Sequence, residues 1–169
     1  MSFCAGCIDL KELPGSPTGT EKQIAGLTVY VAEGSKKGSI LIAPDIYGLG
    51  IVNPRIVADK LAKQSGFTVF AVDYFKGGQM KPEEFELPSK ASEGPPDEAK
   101  MGKNFENFMA WQTWETKLKA KNLLDAASTT YPNTVHGFGL RPDLQDTQVK
   151  SGWEKSIDAT SSFFNKVFA

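Results

Sequence analysis

The sequence predicts an α/β fold in one domain, with a small, mostly parallel sheet flanked by helices. Three neighbouring stretches carry that expectation. GSILIAPD, at residues 38–45, is a short continuous apolar run of the kind buried on both faces of a parallel sheet. NPRIVADKLAKQSG, at 53–66, is punctuated as a helix. Asn53 can cap it, Pro54 suits the first helical position and Gly66 suits the stop. Ile56, Val57 and Leu61 give it one apolar face. FTVFAVDYF, at 67–75, is a second apolar run, ending like the first near an aspartate, Asp73 after Asp45. Strand, helix and strand in this order form a βαβ unit with a right-handed crossover.

The remaining elements follow from composition and period. Residues 1–25 contain ELPGSPTGTEKQ, rich in turn formers, and are expected to be an extended arm. LTVYVAEG alternates apolar and polar residues and is expected to be a strand near a sheet edge. Residues 76–103 are polar and rich in turn formers, as in a long loop or lid. From Asn104 to about Ala127, Phe105, Phe108, Met109, Trp111, Leu118, Leu123 and Leu124 recur at helical spacing, an apolar stripe for core packing. TTYPNTVHGF is expected to hold a short strand. A last helix starts near Asp146 and stacks Val149, Trp153, Ile157, Thr160, Phe164 and Val167 along one face. No repeat or linker divides residues 1–169, which are expected to form a single domain.

Composition excludes several classes of function. A net charge of −1 over 169 residues, with no long basic run, favours neither nucleic acid nor an anionic membrane surface. MSFCAGCIDL lacks the basic and apolar regions of a signal peptide, and no apolar stretch nears the roughly 20 residues of a membrane span. A cytoplasmic location is the expectation. Cys4 and Cys7 form a C-x-x-C pair, but a structural zinc site needs four ligands and His136 is the only histidine. A thioredoxin-like pair would sit on a strand-to-helix turn, not ahead of the first strand. Two passenger cysteines in the arm are the plainer reading; redox or metal duty is the distant alternative.

YPNTVHGFGLRPD places Gly137 and Gly139 beside His136, with Arg141 and Asp143 close behind. From the residues alone, His136 fits either a catalytic base or a hydrogen-bonded structural histidine. Asp45 and Asp73 fit helix caps or partners of an arginine, and Arg141 fits a surface position. Taken in order, GSPTGTEKQIAGLTVYVAEG, ILIAPDIYGLGIVNPRIVADKLAKQSGFTVFAVDYFKG and YPNTVHGFGLRPD resemble the dienelactone hydrolase family of α/β-hydrolases. The resemblance implies hydrolysis of small lactones and carboxylic esters, without metal or organic cofactor. It casts His136 as the general base acting on a nucleophile, and Asp45 as the acid that helps control that nucleophile's protonation. The backbone N–H of Ile46 would be an oxyanion-hole donor, and Arg141 would take the substrate's carboxylate.

What the chain lacks is the nucleophile. The family carries G-x-C-x-G, or G-x-S-x-G in relatives, on a strand-to-helix elbow. Here FCAGCID lacks the first glycine, KSGWE lies at the last helix, and GSPTG has Pro17 at the nucleophile's place. No third triad acid can be placed either. An internal deletion near residues 118–130, removing the elbow and roughly two βα units of about 30 residues each, accounts for this. A truncated α/β-hydrolase-like fold results. His136 then has no partner to activate, and little or no activity is expected of the chain alone. The alternative is a non-catalytic binding or assembly remnant. The strands at 39–45 and 67–75 suit the middle of a sheet, so the vacated edge is expected either to pair with a second copy or to be closed by residues 133–138.

Overall fold

In a computed structural model of the chain, residues 10–79, 131–134 and 137–168 are described, and all lie within one compact unit. Chain order runs β1 (Thr20–Ile24), β2 (Leu27–Ala32), β3 (Lys36–Ile42), α1 (Asn53–Ser65), β4 (Phe67–Val72) and α2 (Thr147–Val167). β1 and β2 are a hairpin closed by Ala25 and Gly26, both at positive φ (51° and 78°), the condition of the turn whose twist matches paired strands. Part of the expected arm is therefore a strand. Its sequence, TEKQI, is exposed at all five positions, which suits a rim and leaves no apolar pattern to read.

The four strands lie in the order β1-β2-β4-β3. β2 pairs antiparallel with β1 and β4, and only β3 and β4 are parallel. The sheet is mixed, not mostly parallel as expected, because β2 runs against the βαβ unit beside it. β2 is also interior, flanked on both sides. β4 is central, with Phe67, Val69 and Ala71 buried and the alternate residues half-buried. β3 departs furthest from expectation. It pairs with β4 alone among the described residues, and Ile40 is buried while Leu41, facing the other way, is 67% exposed. Its apolar run serves one face at a rim, not two faces in the middle.

The core lies on the face that carries Tyr30, Ile40, Phe67 and Val69. There α1 contributes Val57, Ala58 and Leu61, and α2 contributes Trp153 and Ile157. On the opposite face Val29 and Val31 are buried, Phe70 and Val72 half-buried and Leu41 exposed, so cover thins toward β3. Gly66 ends α1 in the left-handed conformation, its N–H donating to Ala62 O, as expected. Asp146 caps α2, accepting from the N–H groups of Gln148 and Val149 at 2.8 and 3.2 Å. Such a cap contributes about 1 kcal/mol. The apolar face of α2 ends before Val167, which is 56% exposed. The start of α1 differs from expectation. Val52 holds the cap position without a side-chain bond, and Asn53 is the first helical residue, fully buried.

The end of the arm is tied down by Tyr30. Its hydroxyl accepts from Gly19 N–H at 2.6 Å and donates to Asp59 Oδ1 at 2.8 Å, while Thr18 N–H donates to Asp59 Oδ2 at 2.7 Å. Burial, then the bond to Asp59, pushes the Tyr30 hydroxyl up to about 12, so it stays a donor over the working range. No helix among the described residues is long and apolar enough to cross a membrane. Instead of the short strand expected in TTYPNTVHGF, the described residues around 132–133 and 137–140 form turns, and no strand from 133–138 closes the rim at β3 among the described residues. Cys4, Cys7, the loop from residue 80, the helix expected at 104–127, the junction at 118–130 and His136 lie outside the described residues.

Candidate functional site

β3 passes through Ala43 and Pro44 to Asp45, at the carboxyl end of a parallel strand, where a following loop can present groups to a ligand. Asp45 shapes that loop itself. Its Oδ1 accepts from Tyr47 N–H at 3.1 Å and its carbonyl accepts from Gly48 N–H at 2.8 Å, which starts the short 3-10 turn Gly48–Gly50. Its second carboxylate oxygen accepts from Arg141 Nε at 2.9 Å. The two side chains come from positions 96 apart in the chain.

The pair is asymmetric. Arg141 has a side-chain exposure of 3% and Asp45 one of 27%. The guanidinium lies 5.0 Å from the centre of the fully buried Tyr47 ring, in cation–π range. Arg141 is thus a buried partner of an aspartate, not the surface residue its type allowed. Ile46, between Asp45 and Tyr47, has a side chain 40% exposed on the same loop. Tyr74, just past β4, donates its hydroxyl to Pro44 O, and burial followed by the Asp45 charge raises its pKa.

Arg141 is delivered by a turn. The N–H groups of Leu140 and Arg141 both donate to Gly137 O, at 3.1 and 2.8 Å. Gly137 has φ +84°, which favours glycine, and a Cβ there would meet Arg141 Nη2 at 2.6 Å and push the guanidinium aside. Trp153 of α2 donates its indole N–H to Gly139 O at 3.1 Å, holding the far side. His136 is covalently next to Gly137, one step before the described turn. Asp73 is engaged elsewhere: its carboxylate accepts from Phe75 and Gly77 N–H, each at 3.1 Å, and forms the turn after β4.

Of the residues singled out by sequence, then, Asp45, Ile46 and Arg141 come together and Asp73 stands apart. Tyr47, Tyr74 and Asn53 belong to the surroundings; neither tyrosine is singled out by sequence, and Asn53 only as a helix cap. Tyr47 had a signal, an aromatic two residues beyond the strand-end aspartate; Asn53 carried the wrong one, since a polar residue before a helical run reads as a cap. Among the described residues, two clefts border α1, one of about 550 Å³ beside Gly15, Ile56, Lys60 and Lys63, and neither is lined by Asp45, Ile46 or Arg141. Among the described residues no group of three or more His, Cys, Asp or Glu is placed to hold a metal ion. No family model, curated protein or solved structure matches the chain.

Proposed function

We propose that this chain is a dienelactone hydrolase-like domain without its nucleophile segment, keeping a site for a small lactone or carboxylic ester but turning over little or none alone. The observation that supports this reading is the Asp45–Arg141 contact. The resemblance assigns roles to both residues from separate segments, and a shared site requires them to meet. In the proposal Ile46 N–H and His136 complete the surroundings of the ligand, and Arg141 supplies the fork for its carboxylate. The Arg141 side chain is 3% exposed and its Nε is held by Asp45, so a ligand carboxylate reaches the guanidinium only by displacing what covers it. No metal or organic cofactor enters the reading. The test is chemical. After incubation with p-nitrophenyl acetate, intact-mass spectrometry should find no acyl adduct that the His136→Ala variant lacks. An adduct dependent on His136 would identify a nucleophile and overturn the proposal, with Cys4 and Cys7 the first positions to map.

A second reading, assembly, is favoured by the rim at β3. The strand has one partner among the described residues and carries Leu41 at 67% exposure. An open rim is a template for a further strand, and a two-fold pairing with a second copy would cover it. Size-exclusion chromatography with light scattering should then give a dimer, and Leu41→Lys should shift it to monomer. A monomer across the accessible concentrations would exclude assembly through this rim.

A further inference from the structure

Asn53 is fully buried, and its side-chain amide bonds three backbone groups in two distant segments of chain. Its Oδ1 accepts from Leu13 N–H at 2.9 Å, and its Nδ2 donates to Lys11 O at 2.6 Å and to Leu140 O at 2.9 Å. Both N–H donors of the amide are used and its oxygen is engaged, so no buried polar group on it is left over. We propose that Asn53 is a positioning residue of the candidate site, fixing the 137–141 turn and its Arg141 against the start of α1 and the N-terminal arm. This rests on that turn and Asp45 being the site, but not on whether the chain hydrolyses anything.

Three features set the role apart from ordinary helix initiation. First, Asn53 does not cap α1: position 52 is the cap, and no bond of the Asn53 side chain serves the helix's own N–H groups. Second, its partners lie 40 to 87 residues away, so the amide spends its capacity on tertiary ties. Third, Leu140, whose carbonyl it holds, is the residue before Arg141, and both donate to Gly137 O. The turn is thus gripped from α1 by Asn53, from α2 by Trp153 through Gly139 O, and from β3 by Asp45 through Arg141. Lys11 adds an exposed link to Asp143 at 3.8 Å. The arm at 11–13 and the turn at 137–141 share one buried amide, so a movement of that side chain loosens both.

The test is native-state hydrogen exchange together with the signal of the single imidazole, that of His136. In the natural chain the amides of Leu13, Leu140 and Arg141 should open as one unit, their protection falling along one slope with denaturant. Asn53→Ser and Asn53→Leu should raise exchange at Leu140 and Arg141 by roughly tenfold relative to Val69 in β4, the factor expected for losing about one to two buried hydrogen bonds. Both should also shift the His136 imidazole resonance, while Val57→Ala, which weakens α1 by packing alone, should leave it in place. The proposal is overturned if Leu140 and Arg141 change only in step with Val69, or if Val57→Ala moves the His136 signal equally. Should neither Asn53 variant fold, the natural chain still decides: separate slopes for Leu13 and Arg141 would refute the shared tie.

Discussion

Replacing Asp45 with alanine is expected to destabilise the protein by about 3 kcal/mol, at the low end of the range for breaking a buried ion pair by removing one partner. The cost arises at Arg141. With a side-chain exposure of only 3%, its guanidinium cannot recover in water what it loses when the carboxylate goes. The value sits at the low end because Asp45 itself is 27% exposed and the Tyr47 ring still attends the cation. The same asymmetry sets the reverse experiment. Arg141→Met removes the buried charge together with every contact the guanidinium makes, that to the Tyr47 ring among them, and leaves an aspartate that water can reach, so it should cost no more than Asp45→Ala. Urea unfolding with unchanged slope measures both. For a chain of this size Asp45→Ala should lower the thermal midpoint by roughly 6–12 °C. A clearly larger loss for Arg141→Met than for Asp45→Ala would contradict this account of the pair.

Trp153→Ala should cost about 4 kcal/mol, within the range for deleting a buried aromatic. Trp153 is 5% exposed, lies in the core shared by the sheet and α1, and carries Lys60 Nζ 4.3 Å from its ring centre. Its indole N–H also holds Gly139 O, so its loss empties the core and frees the turn that delivers Arg141. Trp153→Phe separates the two contributions. It keeps most of the apolar volume and drops the hydrogen bond, for a cost of about 1–2 kcal/mol. Thermal unfolding of the two variants is the measurement. A loss below about 1 kcal/mol for Trp153→Ala would remove α2 as a core element.

How much of this could be read in the residues varies by element, for physical reasons. α1 ends at Gly66 and α2 begins after Asp146 because left-handed glycine and carboxylate caps are local devices, written in a few neighbouring residues. β4 was legible because a continuous apolar run suits a central strand. GSILIAPD has the same look but occupies a rim, since an apolar run does not say how many of its faces find cover. β1 left no apolar signal at all. In the candidate site, Asp45, Ile46 and Arg141 could each be picked out by resemblance, yet nothing local says that Arg141 is buried on Tyr47 and bonded to Asp45. That is a tertiary fact across 96 residues. Asn53 misled for a related reason: the residue type that caps a helix is also one that satisfies three buried backbone groups, and only the packing decides which.

Steady-state hydrolysis of p-nitrophenyl acetate, and of a dienelactone, by the purified chain beside its His136→Ala variant tests the central proposal most directly. A retained site without a nucleophile predicts equal rates for the two proteins, at the level of the buffer and any non-specific side-chain reaction. Turnover that is saturable and lost with His136 would contradict it.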